Sequence, residues 1–170
     1  MKLTFLGTGT SFGVPVVGCD CAACTSSDPR DRRTRHGAVI ETGGGRLLVD
    51  TPTELRLQLL ATGIDIIDAI WFTHVHADHI HGIDDVRVFT ARRGDMPAYI
   101  AGEYRPVLEQ HFKYIFDDSV APPRGSSKPR VQLNEFEVGI PVEIVGENFI
   151  PLTVPPVSYT HLTLPPSDLV

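Results

Sequence analysis

The pattern of apolar and polar positions predicts strands near the start of the chain and alternating strands and helices after them. Segment 2–6 predicts a first strand, and segments 37–42 and 46–50 predict two more, joined by the glycines at 43–45. Segment 66–73 is almost wholly apolar and rich in β-branched and aromatic residues. Such a run is typical of a strand that is buried on both faces.

The segment after the third strand has the pattern of a helix. Thr51 and Glu54 are spaced as a capping box around Pro52, a residue that favours the first helical turn. Gly63 is the kind of residue that commonly follows a helix C-terminus. Further elements are predicted in this order: a helix over 83–92, a strand over 97–101, a helix over 103–116, a loop over 122–129, and strands over 130–139 and 141–154. This alternation predicts an α/β fold.

The glycine-rich stretch GTGTSFGVP, which follows the first strand, raises the question of a nucleotide-binding loop. Its glycines, Gly7, Gly9 and Gly13, are spaced G-x-G-x-x-x-G rather than G-x-G-x-x-G. Pro15 stands where the phosphate-binding helix would have to run, so no helix N-terminus is offered to a pyrophosphate. We interpret the stretch as a turning loop that needs a flexible backbone.

Composition and charge narrow the class of protein. The chain has 170 residues, of which 42% are hydrophobic and 21% charged, as expected for one soluble domain with a core. The N-terminus lacks the pattern of a secretory signal, and no apolar run is long enough for a membrane span. We therefore expect a cytoplasmic protein without a membrane partner. A net charge of −6 argues against nonspecific electrostatic binding of nucleic acid.

One basic stretch, PRDRRTRH, departs from this acidic balance. It places Arg30, Arg32, Arg33 and Arg35 close together. These arginines either form a solvated loop or present a patch to phosphate oxygens, which guanidinium groups bind well. The sequence leaves both interpretations open.

The densest candidate chemistry lies directly after the apolar run at 66–73, in the sequence H-V-H-A-D-H. His74 and His76 are two positions apart, so in extended chain their side chains point to the same side. Asp78 and His79 can turn back toward them from the start of the next helix. Imidazole and carboxylate groups suit zinc, manganese or iron, and the end of a buried strand is a common ligand site in α/β sheets.

Other polar residues in the chain have more ordinary interpretations. His81 is either a supporting residue behind the ligands or an exposed side chain. Asp84 and Asp85 are expected to cap a helix or pair with Arg87 rather than bind metal. His36 and His111 are interpreted as ordinary polar positions rather than ligands. A plain surface run of histidines is the alternative to a metal site, but this spacing would then be a rare coincidence.

Three cysteines, Cys19, Cys21 and Cys24, are spaced C-x-C-x2-C. An odd number of cysteines in an apparently cytosolic chain argues against a disulfide framework. The set is one ligand short of a four-coordinate zinc site. It represents either three ligands of a zinc ion or reduced cysteines at the surface.

The H-x-H-x-D-H sequence after an apolar strand, together with an earlier strand that ends in Asp50, resembles the metallo-β-lactamase superfamily. Four segments are similar, more narrowly, to its phosphoribosyl 1,2-cyclic phosphate phosphodiesterase branch: FLGTGTSFGVPVVGCDCAAC, SSDPRDRRTR, LLVDTPTELRLQL and FTHVHADHIHGIDDVR. The similarity extends over most of residues 2–156. The chain departs from the branch at His36 and Gly37, where two small residues are commoner, and at Thr53, where proline or glycine-proline is commoner.

The resemblance implies an αββα sandwich with two divalent ions, zinc or manganese, at the catalytic site. It assigns His74 and His76 to one ion, Asp78 and His79 to the other, and a buried orienting role to Asp50. His81 is kept as a supporting residue because of its position beside these ligands, not because of the resemblance. Asp78 would in addition be catalytic, by accepting a hydrogen bond from the attacking water. The cysteines Cys19, Cys21 and Cys24 would bind a structural zinc together with a histidine from near the far end of the chain.

The implied reaction is hydrolysis of a small phosphodiester by a metal-bound hydroxide. Coordination lowers the pKa of water from about 15.7 to about 7, which favours hydroxide by on the order of 12 kcal/mol. An RNA-processing nuclease and a thioester or lactam hydrolase are the alternatives on the same scaffold, and a zinc-binding protein without turnover is the alternative outside enzymes. Nucleic acid is the less favoured partner because of the net charge of −6, and a homodimer is left open.

The end of the chain departs from the resemblance. A third histidine ligand is expected just after a strand such as ENFIPLTV, and His161 stands near that place. The surrounding VSYTHLTLPP, however, resembles a translated sequencing-adaptor tail. We expect residues 1–156 to be the N-terminal part of an incomplete sandwich, without its C-terminal half, and residues 157–170 to be non-native. The third histidine, a bridging aspartate and a final histidine would then be missing, and this chain alone would be inactive.

Overall fold

A mixed six-stranded sheet forms the centre of the computed structural model, which describes residues 1–154. The strands lie in the sheet in chain order: β1 (Lys2–Gly7), β2 (Gly37–Glu41), β3 (Arg46–Val49), β4 (Ala69–Trp71), β5 (Met96–Ala101) and β6 (Val131–Phe136). β1, β2 and β3 pair antiparallel, whereas β3 to β6 pair in parallel. The carboxyl ends of the parallel strands therefore lie at one edge of the sheet, where side chains that follow them can meet.

Short helices connect and flank these strands. They are α1 (Ala22–Thr25), α2 (Leu55–Thr62), α3 (Ala77–Ile80), α4 (Arg87–Arg93), α5 (Arg105–His111) and α6 (Lys113–Phe116), with turns of 3-10 helix at Pro29–Asp31 and Ile83–Val86. An antiparallel hairpin of β7 (Val142–Ile144) and β8 (Glu147–Phe149) follows the sheet. Within residues 1–154, no helix is long and apolar enough to cross a membrane.

Alternation along the strands divides the apolar residues between the two faces of the sheet. In β4, Ile70 points to one face, and its neighbours Ala69 and Trp71 point to the other. The face of Ile70 forms the main core, where Leu48 of β3 packs with helix residues such as Leu55 of α2. These core side chains are fully buried, which accounts for the continuous apolar runs in the sequence.

The opposite face of the sheet is only partly covered. Ile144 of the β7–β8 hairpin packs on it, and Trp71 stacks on Phe136 with ring centroids 4.1 Å apart. Leu3 and Phe5 of β1, on the same face, are 54% and 64% exposed. An αββα sandwich has a second sheet over this face, so the exposed apolar strip agrees with an incomplete sandwich.

The first strands and the end of α2 agree with the sequence prediction. Gly63 has a left-handed φ of 68° and ends the helix, as its position predicts. The predicted capping box is wrong, because α2 begins at Leu55 and Glu54 makes no side-chain cap bond. Thr51 is buried, and its hydroxyl donates to the carbonyl of Ile80 at 3.1 Å. Thr51 therefore does not cap α2. It connects the end of β3 to residues 72–82, which we call the histidine loop.

Three of the predicted strands are too long, and segment 130–139 forms a strand only over Val131–Phe136. Segment 141–154 is a hairpin rather than one strand, with Val145 and Gly146 at its turn in positive-φ conformations of 46° and 77°. Segment 66–73 is reduced to β4, because the Asp68 carboxylate turns to accept a backbone N–H of β3 at 2.8 Å. These last two differences arise from tertiary contacts that periodicity does not report.

The helical regions after β4 exist where the sequence predicts them, but they are divided. The region 83–92 begins as a 3-10 turn and continues as α4. The region 103–116 breaks at Phe112, which has a φ of −117°. Leu108 and Ile115, from the predicted apolar face, are nevertheless both buried in the core.

Candidate metal centre

The candidate site lies at the carboxyl ends of two adjacent parallel strands. Asp50 comes directly after β3, and Thr73 and His74 come just after β4. The N–H of Asp50 donates to the carbonyl of Trp71 at 2.8 Å, so the pairing of the strands continues into the site. This is the edge at which α/β sheets commonly bind ligands.

Backbone hydrogen bonds connect the segment after β3 to the histidine loop. The N–H of Thr51 donates to the carbonyl of His79 at 2.7 Å, and the N–H of Gly82 donates to the carbonyl of Thr51 at 2.8 Å. Asp50 has a φ of 62°, a left-handed conformation that costs a non-glycine residue about 1–3 kcal/mol. The backbone hydrogen bonds on either side stabilise this conformation of Asp50. In this conformation the Asp50 carboxylate contacts the ring of His79.

Asp50 is buried and lies at the centre of the site. Its Oδ1 accepts the backbone N–H of Thr73 at 2.8 Å, and its Oδ2 accepts the Thr73 hydroxyl at 2.8 Å. Oδ2 also lies 2.7 Å from Nδ1 of His79. A buried carboxylate needs such partners, because burying an unpaired charge is costly. The structure thus places Asp50 where an orienting residue would be.

These contacts fix the tautomers of two histidines. An ionised carboxylate only accepts hydrogen bonds, so Nδ1 of His79 must supply the proton in its contact with Asp50. The Thr73 hydroxyl gives its proton to Asp50, so it accepts from Nδ1 of His74, which is 3.0 Å away. In both rings the proton therefore resides on Nδ1, and the lone pair of Nε2 is free to bind a metal ion.

The free nitrogen of His79 and the Asp78 carboxylate are spaced as two metal ligands would be. Nε2 of His79 lies 3.7 Å from Oδ2 of Asp78. Two ligands of a tetrahedral ion with bond lengths of about 2.1 Å are roughly 3.4 Å apart. The ring of His74 lies 4.6 Å from that of His76 and 3.7 Å from that of His79. A set of imidazoles and one carboxylate fits a divalent transition metal such as zinc.

The environment of His74 favours the protonation state that binds metal. Desolvation lowers the pKa of this half-buried imidazole, and the neighbouring His79 and His76 lower it further. The carboxylates Asp50 and Asp78 act in the opposite direction but do not reverse the shift. The ring is therefore neutral at neutral pH, and the neutral imidazole is the metal ligand.

His36 joins the cluster, so its interpretation as an ordinary polar position missed a site residue. Its Nε2 lies 2.9 Å from Nδ1 of His79. One potential metal-ligating atom from each of His36, His79 and Asp50 lies within 4.8 Å of the other two. Desolvation and then the neighbouring His79 lower the pKa of His36. The register of the β2–β3 hairpin would have indicated His36. Ala38 pairs with Val49, so the segment before β2, with His36, lies beside the segment after β3, with Asp50.

The other two histidines lie apart from this network. Within residues 1–154, His81 is exposed and makes no hydrogen bond to the cluster, and its ring meets Phe112 edge-on at 6.0 Å. His111 is exposed too, and its Nδ1 lies 2.7 Å from the Val107 carbonyl of its own helix. The supporting role of His81 stays a prediction, while His111 has the ordinary polar setting that the sequence predicts.

The three cysteines lie together at the surface, with their sulfur atoms within 4.8 Å of one another. Cys24 is half-buried, and its sulfur accepts the N–H of Val16 at 3.3 Å. The backbone N–H of Cys24 and the thiols of Cys19 and Cys24 lower the pKa of Cys21. At Cys21 this favours the thiolate, which is the form that binds zinc. The pKa of Cys24 is raised instead: the N–H of Val16 lowers it, but desolvation and the other two thiols raise it by more. The grouping is compatible with three ligands of one ion.

The basic stretch divides into residues with local partners and residues exposed to solvent. Arg30 forms an ion pair of 2.6 Å with a neighbouring carboxylate, and Arg35 donates to the carbonyl of Ser11 at 2.7 Å in the glycine-rich loop. Arg32 and Arg33 are exposed. The phosphate-facing interpretation is therefore left mainly to Arg32 and Arg33.

Gly82 is expected to be essential to the shape of the histidine loop. A Cβ atom there would lie 2.1 Å from the carbonyl oxygen of Pro52, so Gly82→Ala forces the backbone apart. We expect the free energy of unfolding to fall by about 1–3 kcal/mol. Gly43→Ala is the matched control, because nothing lies within 4 Å of its added methyl group. Equal thermal midpoints for the two variants would contradict the close approach at Gly82.

Comparisons with known proteins agree with this fold. Residues 45–168 match the family profile described as the Beta-lactamase superfamily domain. A crystal structure of a diphosphatase from the PhnP family is 42% identical, with a TM-score of 0.75, over 87% of this chain and 54% of that chain. Zn²⁺-bound PqqB from Methylobacterium extorquens has a TM-score of 0.72 at 19% identity, over 91% of this chain and 56% of that one, which supports the fold alone.

Two curated relatives have other names. An octanoyltransferase from Porphyromonas gingivalis is 36% identical over 166 residues, which are 97% of this chain and 32% of that protein. A ribonuclease Z from Clostridium kluyveri is 36% identical over 84 residues, which are 48% of this chain and 28% of that protein. The matched regions span about a third of these two relatives and about half of the solved structures.

A mixed sheet with a histidine loop after a parallel strand, and with Asp50 behind that loop, defines a class of α/β proteins built around a candidate metal site. Within that class, the chain belongs to the beta-lactamase superfamily, whose profile matches residues 45–168. The predicted metallo-β-lactamase fold is confirmed, and the 54% coverage of the diphosphatase fits an incomplete sandwich.

Proposed function

We propose that this chain forms part of a metal-dependent phosphodiesterase with a two-metal site for zinc or manganese. The observation that supports this most is the position of His79, whose Nε2 lies 3.7 Å from Oδ2 of Asp78 while Asp50 engages its Nδ1. The 42% identity to a protein described as a diphosphatase favours phosphate-ester chemistry over lactam chemistry.

The side chains of the loop have distinct proposed tasks. One ion would be held by His74 and His76, and the other by Asp78 and His79. Ions bound there would supply a nucleophilic water at neutral pH and neutralise charge on the phosphate oxygens. Asp50 orients the ring of His79 directly and that of His74 through the Thr73 hydroxyl. Ligands fixed in this way lose little entropy on binding an ion.

Asp78 is the residue that we propose to be catalytic as well as a ligand. A carboxylate has two oxygens, so one can face the ion beside His79 while the other accepts a hydrogen bond from the attacking water. That contact would orient the water toward phosphorus and receive its proton. Asp78 is half-buried in the loop, so both partners can reach it.

An RNA-processing nuclease is the second candidate function. The 36% identity to ribonuclease Z over 84 residues and the exposed Arg32 and Arg33 favour it. Nucleic-acid binding, however, depends on many phosphate contacts, and the net charge of −6 provides few. A small phosphodiester is therefore the favoured substrate.

Hydrolysis assays on the complete protein test these candidates. With zinc or manganese added, we expect hydrolysis of bis(4-nitrophenyl) phosphate, loss of activity with a chelator, and recovery when metal is restored. Faster cleavage of a structured RNA than of the small phosphodiester would favour the nuclease. Turnover of a chromogenic β-lactam or thioester alone would favour those hydrolases, and a metal-loaded protein inert toward all four would be a zinc-binding protein.

The remaining ligands implied by the resemblance lie outside the described residues. They are the third histidine, the bridging aspartate and the final histidine. His161 and the whole of residues 157–170 lie outside as well, so their interpretation as a non-native tail stays a prediction. Because residues 1–154 contain only part of the implied ligand set, we propose that this chain alone is inactive.

A structural zinc is proposed for Cys19, Cys21 and Cys24, whose sulfur atoms lie within 4.8 Å of one another. Replacing all three by serine removes the soft ligands that zinc prefers. We expect the zinc content of the complete protein to fall by about one ion per chain, as measured by elemental analysis after dialysis. Retention of the full zinc content by the triple variant would refute this site.

A further inference from the structure

His36 occupies an unexpected place next to the metal centre. His36 lies just before β2, and its side chain is half-buried. Nε2 of His36 lies 2.9 Å from Nδ1 of His79, and the two rings have centroids 3.8 Å apart with planes inclined by 55°. The imidazole of His36 thus makes one of the shortest contacts to a proposed metal ligand.

The backbone on either side of His36 is fixed by buried groups. Gln58 is buried, and its Nε2 donates to the carbonyl of Arg35 at 2.7 Å and to the hydroxyl of Thr34 at 2.9 Å. On the other side, Gly37 lies so close to Pro52 that an added Cβ would be 3.0 Å from the ring. His36 is therefore anchored before and after its own position.

Nδ1 of His79 contacts both Asp50 and His36, and this determines which of the three groups donates the hydrogen bond and which accept it. Nδ1 of His79 lies 2.7 Å from Asp50 and 2.9 Å from His36. Because the carboxylate can only accept, the proton belongs to Nδ1 of His79, and Nε2 of His36 must also accept it. The two acceptors hold the same N–H from two directions. Together they restrain the rotation of the His79 ring, as well as its tautomer.

We propose that His36 is a positioning residue, which directs Nε2 of His79 toward the ion shared with Asp78. This inference rests on the proposed two-metal site and adds a residue to it that the resemblance does not assign. Partners behind a metal ligand commonly change metal affinity by about 10–100-fold when they are removed. We expect an effect of that size on one ion and little effect on the others.

The test compares two substitutions of His36 in the complete protein. His36→Leu keeps the bulk but removes the acceptor, and His36→Gln keeps an acceptor oxygen at a similar distance. His111→Leu is the matched control, because His111 is exposed and bonded only within its own helix. Stepwise zinc dissociation constants are measured by competition with a chelator, and the step that Asp78→Ala removes identifies the ion concerned.

We expect His36→Leu to weaken that step by about 10–100-fold and His36→Gln by less than about threefold. His111→Leu should leave it unchanged. If His36→Leu fails to fold, His36→Phe takes its place with the same expected loss, because it keeps a planar ring without an acceptor. Unchanged affinity in a folded His36→Leu, or a tenfold loss in His36→Gln, would overturn the proposal.

The outcome is separable from that of the proposed function. A complete protein that hydrolyses phosphodiesters but shows no change in His36→Leu would refute only the role of His36. A protein without hydrolysis, in which His36→Leu still weakens the step that Asp78→Ala removes, would refute only the phosphodiesterase. If Asp78→Ala removes no step, the positioning role is overturned with the site.

Discussion

Asp78→Ala is expected to abolish phosphodiester hydrolysis by the complete protein while leaving it folded. Loss of a partner behind a metal ligand already costs about 10–100-fold, so loss of a ligand that also orients the water should cost more than about 100-fold. The side chain lies in the first turn of α3 and outside the buried core, which predicts little change in stability. Initial rates with bis(4-nitrophenyl) phosphate at saturating metal measure the effect.

Asp118→Ala is the matched control for Asp78→Ala, because Asp118 is an exposed carboxylate in the connection between α6 and β6 and belongs to none of the proposed ligand sets. Its rate should stay within about twofold of the parent, as for most surface substitutions. A folded Asp78→Ala variant with more than a tenth of the parental rate would contradict the proposed role of this carboxylate.

Asp50→Asn is expected to have the second largest effect, through the tautomer of His79. An amide has one acceptor oxygen, whereas Asp50 accepts from Thr73 at Oδ1 and from Thr73 and His79 at Oδ2. An amide nitrogen placed at the Oδ2 position would donate to Nδ1 of His79 and force the proton onto Nε2, the metal-binding atom. A comparable tautomer change in the serine protease triad costs about 10⁴ in turnover. We expect a loss of about 10²–10⁴ here.

Asp68→Asn makes the same chemical change at the other end of β4. Asp68 also accepts a backbone N–H, from Arg46 at 2.8 Å, but it precedes the strand rather than following it. Both variants should lose about 1–3 kcal/mol of stability, as expected when a hydrogen-bonded polar group is altered. Only Asp50→Asn should lose zinc affinity and turnover together. Equal metal affinities in the two variants would show that Asp50 does not orient the ligands.

The sequence predicts the sheet well where one residue type determines the local structure. The alternation of apolar positions locates β1, β2 and β3, and Gly63 locates the end of α2 because only its backbone readily adopts a φ of 68°. The start of the same helix is mispredicted. The hydroxyl of Thr51 has two available uses, and the bond to the Ile80 carbonyl prevails over the cap.

The candidate site is predictable as far as it is continuous in sequence. The loop of residues 74–79 and the preceding Asp50 follow from the motif and from the strand ends. His36 does not, because its proximity to His79 depends on the register of the β2–β3 hairpin, in which Ala38 pairs with Val49. A shift of that register by one residue would turn the side chain to the other face of the sheet.

Anomalous diffraction at the zinc edge from crystals of the complete protein tests the central claim most directly. We expect one peak about 2.1 Å from both Nε2 of His79 and a carboxylate oxygen of Asp78. We expect a second peak beside His74 and His76. Zinc found only at the cysteines, with no ion between Asp78 and His79, would contradict a two-metal catalytic site.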